Sequence, residues 1–157
     1  MSRKRKTILL AWRIADSRFP IFDGGGAARY GARWNSPGHR LIYCSSTLAL
    51  CMLEFLAHTG SNLPNNARYV RIGSSESISI ELVEERDIPE WNVADSAAAK
   101  KYGDDWAREL RSCVLSVPSV VMPNGERNLI INQDHPEFAK LRATKPVPMD
   151  WDPRLRL

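Results

Sequence analysis

Chemistry in this chain is best sought around a single carboxylate on a greasy helix. From Leu48 to His58 the positions Leu48, Ala49, Leu50, Cys51, Met52, Leu53, Phe55, Leu56 and Ala57 are apolar, and Glu54 is the one charged side chain. A buried carboxylate without a partner is costly, so Glu54 should face a polar cleft or an arginine. Just upstream, Gly31-Ala32-Arg33-Trp34-Asn35-Ser36-Pro37-Gly38 sets a guanidinium, an aromatic and an amide between glycines, and the short run Leu41–Ser45 carries Tyr43. Arg13 interrupts an apolar stretch near the start; Ser119, Asn128 and Asn132 are polar residues in apolar surroundings near the end. A carboxylate stabilises positive charge developing in a reaction, and an arginine fork grips phosphate or carboxylate oxygens in a fixed geometry. Taken singly, these residues also have bland readings. Arg33 fits a surface ion pair, Tyr43 a core ring with its hydroxyl satisfied, Ser119 a bulge beside Pro118, and Asn128 a backbone partner in a hairpin.

The elements that must position these groups follow from periodicity and turn residues. Ile8–Ile14 reads as a first strand and Asp16–Tyr30, with Pro20 and Gly24-Gly25-Gly26, as a loop. Leu41–Ser45 reads as a second strand, followed by a helix capped by Ser45 or Ser46 and stopped by Gly60. The helix's apolar residues run nearly all the way round, which implies burial on most sides. Arg68–Ile72 and Ser77–Leu82 alternate like half-buried antiparallel strands with one face to water. Ile88–Asp95 reads as loop. A helix runs from Asp104 or Asp105 to Arg111, separated by Gly103 from a turn at Ala97–Lys100. Cys113–Val121 and Asn128–Asn132 form a hairpin across Pro123-Asn124-Gly125. A short helix spans Pro136–Arg142, and residues 144–157 form an irregular tail. The glycine triplet does not satisfy G-x-G-x-x-G, which excludes a Rossmann nucleotide site.

With 157 residues and 43% hydrophobic content, the chain suits one domain, 1–157. The three cysteines, Cys44, Cys51 and Cys113, have neither disulfide nor zinc spacing and read as small core residues; the three histidines form no ligand-spaced pair, so no metal is expected. The apolar run Leu48–Leu53 is far too short for a membrane span, and Met1–Lys6 lacks the features of a signal peptide, which together predict a cytoplasmic protein. The net charge of +4 favours an anionic partner, but much of it lies in residues 1–6, read as a solvated basic tail. A nucleic-acid-binding module finds no support beyond that charge: no helix-turn-helix, RNA-binding or zinc-finger signature is present.

Three motifs in order, G-A-R-W-N-S-P-G at Gly31–Gly38, L-A-x-x-M-L-E at Leu48–Glu54 and V-P-S-V-V-x-P-x-x-E-x-N at Val117–Asn128, together with Tyr43, resemble the RES-domain toxins. That family takes its name from an Arg, a Glu and a Ser, matched here by Arg33, Glu54 and Ser119. The resemblance covers nearly the whole chain. It implies an α+β fold similar to ADP-ribosyltransferases, with mixed, mostly antiparallel sheets and flanking helices around a dinucleotide cleft. It further implies the toxin half of a toxin–antitoxin pair that consumes NAD as substrate, with no cofactor, by cleaving the nicotinamide N-glycosidic bond. Transfer of ADP-ribose to protein is the alternative on the same scaffold. The implied partners are an Xre-like helical DNA-binding antitoxin that blocks the cleft and a second toxin copy within a larger complex, without direct nucleic-acid or membrane contact. Many relatives carry glycine where Ala32 stands, and N-P where this chain has Asn132-Gln133.

The residue types suit that chemistry. Breaking a ribosyl bond develops positive charge on the sugar, which Glu54 would stabilise while orienting the attacking group. Nicotinamide leaves its cationic form as a neutral molecule, so no second carboxylate is required to protonate it. Arg33 and Arg13 fit the pyrophosphate, Tyr43 would stack on nicotinamide or adenine, and Ser119 and Asn128 can bond ribose hydroxyls, the carboxamide or Glu54 itself.

Overall fold

The computed structural model describes residues 3–60 and 63–155. Its frame is a nine-stranded sheet of β1 (Arg3–Thr7), β2 (Leu10–Asp16), β3 (Leu41–Ser45), β4 (Ala67–Ser74), β5 (Ile78–Leu82), β6 (Val114–Val117), β7 (Asn128–Asn132), β8 (Leu141–Ala143) and β9 (Val147–Pro148). The strand order is β1-β5-β6-β7-β3-β2-β4-β8, with β9 also on β4. Every pairing is antiparallel except β5 with β6. Helices α1 (Gly25–Tyr30), α2 (Leu48–Thr59) and α3 (Ala97–Arg108) flank it. This is the α+β, mostly antiparallel architecture expected from the sequence.

The central strands are buried on both faces, because their alternate residues enter different cores. Ile42, Cys44, Leu129 and Ile131 join a cluster with Ala11, Val70, Ile72, Ile78 and Ile80, drawn from both ends of the strand order. Leu41, Leu115, Val117 and Ile130 join the opposite cluster, under Trp34, Trp91 and Trp106. The three cysteines are buried and unpaired, as small core residues are. Burial pushes the thiols of Cys44 and Cys113 up to about 12 and that of Cys51 to about 11, which keeps them protonated and inert.

Several local expectations need correction. Residues 3–6 are not a solvated tail: they lie in β1, whose backbone pairs with β5 from Arg3↔Leu82 to Thr7↔Ile78 while the cationic side chains remain exposed. Residues 1 and 2 lie outside the described set. Gly25 to Tyr30, expected as loop, is a short helix despite its glycines. The segment after residue 143 is not wholly irregular, because Val147 and Pro148 pair with β4 and Trp151 stacks on Phe55 at 5.7 Å. Thr47, not Ser45 or Ser46, caps α2 by accepting the Leu50 N–H at 3.1 Å. That helix buries only Leu50, Cys51 and Leu56; Leu53 is exposed, so its apolar circumference overstates its burial. The short helix expected over Pro136–Arg142 is a 3-10 turn, Pro136–Lys140, that gives way to β8.

Gly103 does not break α3 but sits inside it, facing the 31–38 loop. A Cβ there would stand 1.7 Å from the Trp34 carbonyl oxygen, so only glycine lets the helix and loop meet. Finally, β5 is no half-solvated edge. Glu81, expected on a water face, is 1% exposed because β1 covers its edge and Tyr102 of α3 and Arg111 close over its carboxylate.

Candidate active site

Glu54 occupies the C-terminal half of α2 and receives two hydrogen bonds on one oxygen. The Ser119 hydroxyl donates to Oε1 at 2.7 Å and the Asn128 amide at 2.6 Å. Among the described residues neither donor is charged, and no protein group bonds Oε2. Asn128 is fixed in turn by Ser45, whose hydroxyl donates to its Oδ1 at 2.9 Å across the Ser45↔Asn128 register pair of β3 and β7. Ser119 also accepts the Met122 N–H at 3.2 Å and is 1% exposed, so its hydroxyl is held between Glu54 and the backbone of its own loop.

The 31–38 loop brings Arg33 to the same cleft. Ala32 and Asn35 bond each other's backbone at 2.9 and 3.3 Å, which leaves Arg33 and Trp34 at the tip of a tight turn. Gly31 enters it with φ +70, a conformation that suits glycine. Trp34 is buried, stacked on Trp91 at 6.3 Å and edge-on to Tyr102 at 6.5 Å. Asn35 is buried too and donates to the carbonyls of Ala27 and Ser36, while Asp104 of α3 accepts the Ser36 N–H at 2.8 Å. Trp34 and Asn35 thus act as structural braces for the arginine.

Tyr43 completes this brace. Its hydroxyl donates to Asn35 Oδ1 at 2.7 Å and accepts the Trp34 N–H at 3.2 Å, so that group is spent on the loop, while the ring lines the cleft. Burial drives the phenol's pKa far above its ordinary range, with the Trp34 bond and the Arg33 charge opposing it only in part. Tyr43 therefore stays neutral and is no acid–base group.

Arg33 and Glu54 line one cavity of about 370 Å³, together with Tyr43, Val120 and Asn128. A second cavity of about 440 Å³ shares Tyr43, Glu54 and Asn128 with the first and reaches Arg13, so the two form one cleft with an arginine towards each end. Neither arginine is paired with a carboxylate among the described residues. Arg33 Nη1 donates to the carbonyls of Trp91 and Val93 at 3.1 and 2.7 Å; Arg13 donates through Nε to Ile21 O at 2.7 Å and through Nη1 to Tyr43 O at 2.8 Å. Carbonyls fix each fork without neutralising it, and the Nη2 of each has no partner among the described residues. The cleft is thus built for an anion alongside one carboxylate.

All six residues singled out from the sequence, Arg13, Arg33, Tyr43, Glu54, Ser119 and Asn128, converge on this region. Two participants were missed. His58 lines both parts of the cleft one helical turn after Glu54, and that i, i+4 spacing was visible in the sequence. Ser45 was visible only as a possible cap, because its partner Asn128 is set by strand register.

Comparison with known proteins decides the family. The model of the RES domain matches residues 10–152. The chain belongs to the RES domain family. It is similar to the "Prs ADP-ribosylating toxin" of Sphingobium sp. (strain YBL2), 35% identical over 92% of this chain and 94% of the relative. It is also similar to a "Toxin Res" of Yersinia enterocolitica, 34% identical over 94% of this chain and 100% of the relative. Among solved structures, the fold is shared with a chain of the M. tuberculosis MbcT–MbcA toxin–antitoxin complex. That match has a TM-score of 0.70 and 19% identity, covering 93% of this chain and 86% of the other.

Proposed function

We propose that the chain is a toxin that depletes NAD in the cytoplasm by cleaving the bond between nicotinamide and its ribose. The observation that carries this reading is the asymmetric setting of Glu54: neutral donors hold one oxygen, and two carbonyl-tethered arginines stand in the same cleft with no carboxylate partner among the described residues. The C1′–N1 bond breaks with its electron pair going to the pyridine nitrogen, so neutral nicotinamide departs. The positive charge left on the ribose is stabilised by Glu54. Water then attacks C1′, forming the C1′–O bond and releasing its proton to solvent, or phosphate attacks instead and forms that bond. Arg13 and Arg33 supply the cations for the pyrophosphate, and the Tyr43 ring supplies an apolar wall. The leaving group needs no protonation, so the reaction requires no resident cofactor.

Release of nicotinamide from NAD by the purified protein tests this reading, with Glu54→Gln as the paired variant. A folded Glu54→Gln protein that turns over at the parent rate would remove Glu54 from the mechanism.

A second reading has its own support. The Sphingobium relative is named an ADP-ribosylating toxin, and both outcomes share the cleavage step, differing only in the nucleophile that reaches C1′. Labelled NAD incubated with cell extract, or with a Prs protein, distinguishes them: label on a polypeptide supports transfer, and rapid NAD loss with none supports hydrolysis or phosphorolysis. The partner we propose is a helical, Xre-like antitoxin whose terminal segment fills the cleft, with two toxin copies in the assembly. Its support is the fold shared with a toxin solved in complex with its antitoxin.

A further inference from the structure

Beyond Arg13 the cleft continues into a further lobe of about 400 Å³ beside the turn after β2 and the helix α1. Arg13 and Ala15 line both this lobe and the part of the cleft that holds Glu54. Two rings line it as well. Phe19 is 64% exposed and Tyr30 76%, the two highest values among the exposed large hydrophobic side chains. Each has a neighbouring guanidinium: Arg29 stands 6.0 Å from the Tyr30 centroid, and Arg18 stands 5.9 Å from that of Phe19 but is paired with Asp16, which lines the lobe together with Asp23. Neither ring belongs to any of the hydrophobic clusters. Their packing therefore does not account for them, whereas exposed ring faces are ready surfaces for a flat heteroaromatic group, and Arg13 and Arg29, which pair with no carboxylate among the described residues, are the cations for a phosphate attached to it.

The Arg33 end of the cleft has no large hydrophobic ring as exposed as these. Trp34 is 2% exposed and already stacked on Trp91, and the wall there combines Val117, Val120 and Val121 with the half-buried Tyr43, whose hydroxyl is spent on the loop, and His58. A base extending from the Glu54 centre past Arg13, whose Nη2 has no partner among the described residues, meets the two most exposed large hydrophobic rings.

We propose that this lobe seats the adenosine end of the dinucleotide, with Phe19 and Tyr30 stacking the base and Arg13 holding the pyrophosphate at the junction. The identity of the ligand rests on the NAD-cleaving reading; the location does not. Glu54 and Tyr43 are then left for the nicotinamide ribose.

Calorimetric titration of the full chain with ADP tests the location directly. The parent protein should bind ADP, and a Phe19→Ala/Tyr30→Ala variant should bind it about tenfold or more weakly, since base stacking on a ring contributes that order of affinity. In turnover, the ratio of kcat/KM for NAD to that for nicotinamide mononucleotide, which lacks the adenosine, should fall by a similar factor in the variant. Phe19→Leu/Tyr30→Leu keeps apolar bulk without a flat face, should reproduce the loss, and serves if the alanine variant does not fold. Equal ADP affinity in a folded variant, or no ADP binding by the parent, overturns the proposal. Ring-dependent ADP binding without any NAD cleavage overturns the NAD reading and leaves the lobe in place.

Discussion

Glu81 on β5 accepts Arg111 Nε at 3.1 Å on one oxygen, and Arg111 Nη2 at 2.9 Å with the Tyr102 hydroxyl at 2.5 Å on the other. Arg111 also lies 5.1 Å over the Tyr102 ring, and the carboxylate is sealed from solvent. Glu54 on α2 also receives a hydroxyl and a nitrogen donor, but both are neutral, both use one oxygen, and the cleft is open in front of it. The difference is the placement of the cation. At Glu81 the arginine neutralises the acid and closes the site, and Glu81 holds its partner's proton firmly: despite the burial that opposes it, the bond and charge of Glu81 raise the pKa of Arg111 above its usual range. At Glu54 the arginines are tied to carbonyls further along the cleft, so among the described residues the carboxylate and the two guanidiniums form no ion pair. One glutamate consolidates the fold; the other, on the proposed reading, is kept ready for a charge that exists only during a reaction.

The largest effect expected from breaking this contrast is on stability at Glu81. Arg111→Met strands a buried carboxylate and should cost about 3–5 kcal/mol in urea unfolding. Adding Glu81→Gln removes the stranded charge and should recover most of that loss. A single-variant cost below about 1 kcal/mol, the range of an exposed pair, would mean that Glu81 is solvated and the contrast false.

Glu54→Gln should do the reverse. No cation loses a partner, so the urea midpoint should move little, while nicotinamide release falls about a hundredfold or more if one transition-state interaction contributes ~3 kcal/mol. A stability loss as large as that of Arg111→Met, with turnover intact, would reassign Glu54 to the fold.

How far the sequence could have shown this contrast depends on the range of each interaction. Glu54 was legible because one charge on an apolar helix is a local anomaly, and Arg33 because glycines and Pro37 mark a built loop. Glu81 was not, since in a strand that alternates Ile78, Ile80 and Leu82 its position reads as water-facing; it is buried by β1 along its edge and by Tyr102 and Arg111, which fold over from more than twenty residues away. Gly103 misled for the same reason. Its helix propensity is poor, yet the approach of Trp34 requires it. β1 was hidden by its charges, which an edge strand tolerates because both side-chain faces stay in water.

The two donors on Glu54 sharpen the comparison at a smaller scale. Ser119→Ala and Asn128→Ala each delete one bond to Oε1. As positioning residues they should lower kcat by about tenfold apiece, near 1.4 kcal/mol, with KM changing less. Because both act on one oxygen, the double variant should fall short of the product of the single effects. Product-like losses would mean that they act on separate events.

The smallest effect should come from Ser45, which has no hydrogen bond to Glu54 among the described residues and acts on it through Asn128. Its hydroxyl bonds Asn128 Oδ1, and that contact selects which end of the amide faces the carboxylate. Without it, the amide can turn and set its oxygen against Oε1, an arrangement that repels where the native one attracts. Rotation is still opposed by the native Nδ2 bond, so Ser45→Ala should reduce turnover only about threefold, less than the loss of a net hydrogen bond of about 1 kcal/mol. Ser45→Thr, which retains the hydroxyl, should restore most of it if the β3 strand accommodates the methyl group. If Ser45→Ala is instead as damaging as Asn128→Ala, then Asn128 contributes to catalysis only when its amide is locked, and the neutral cradle of Glu54 extends one residue further from the cleft than its direct contacts indicate.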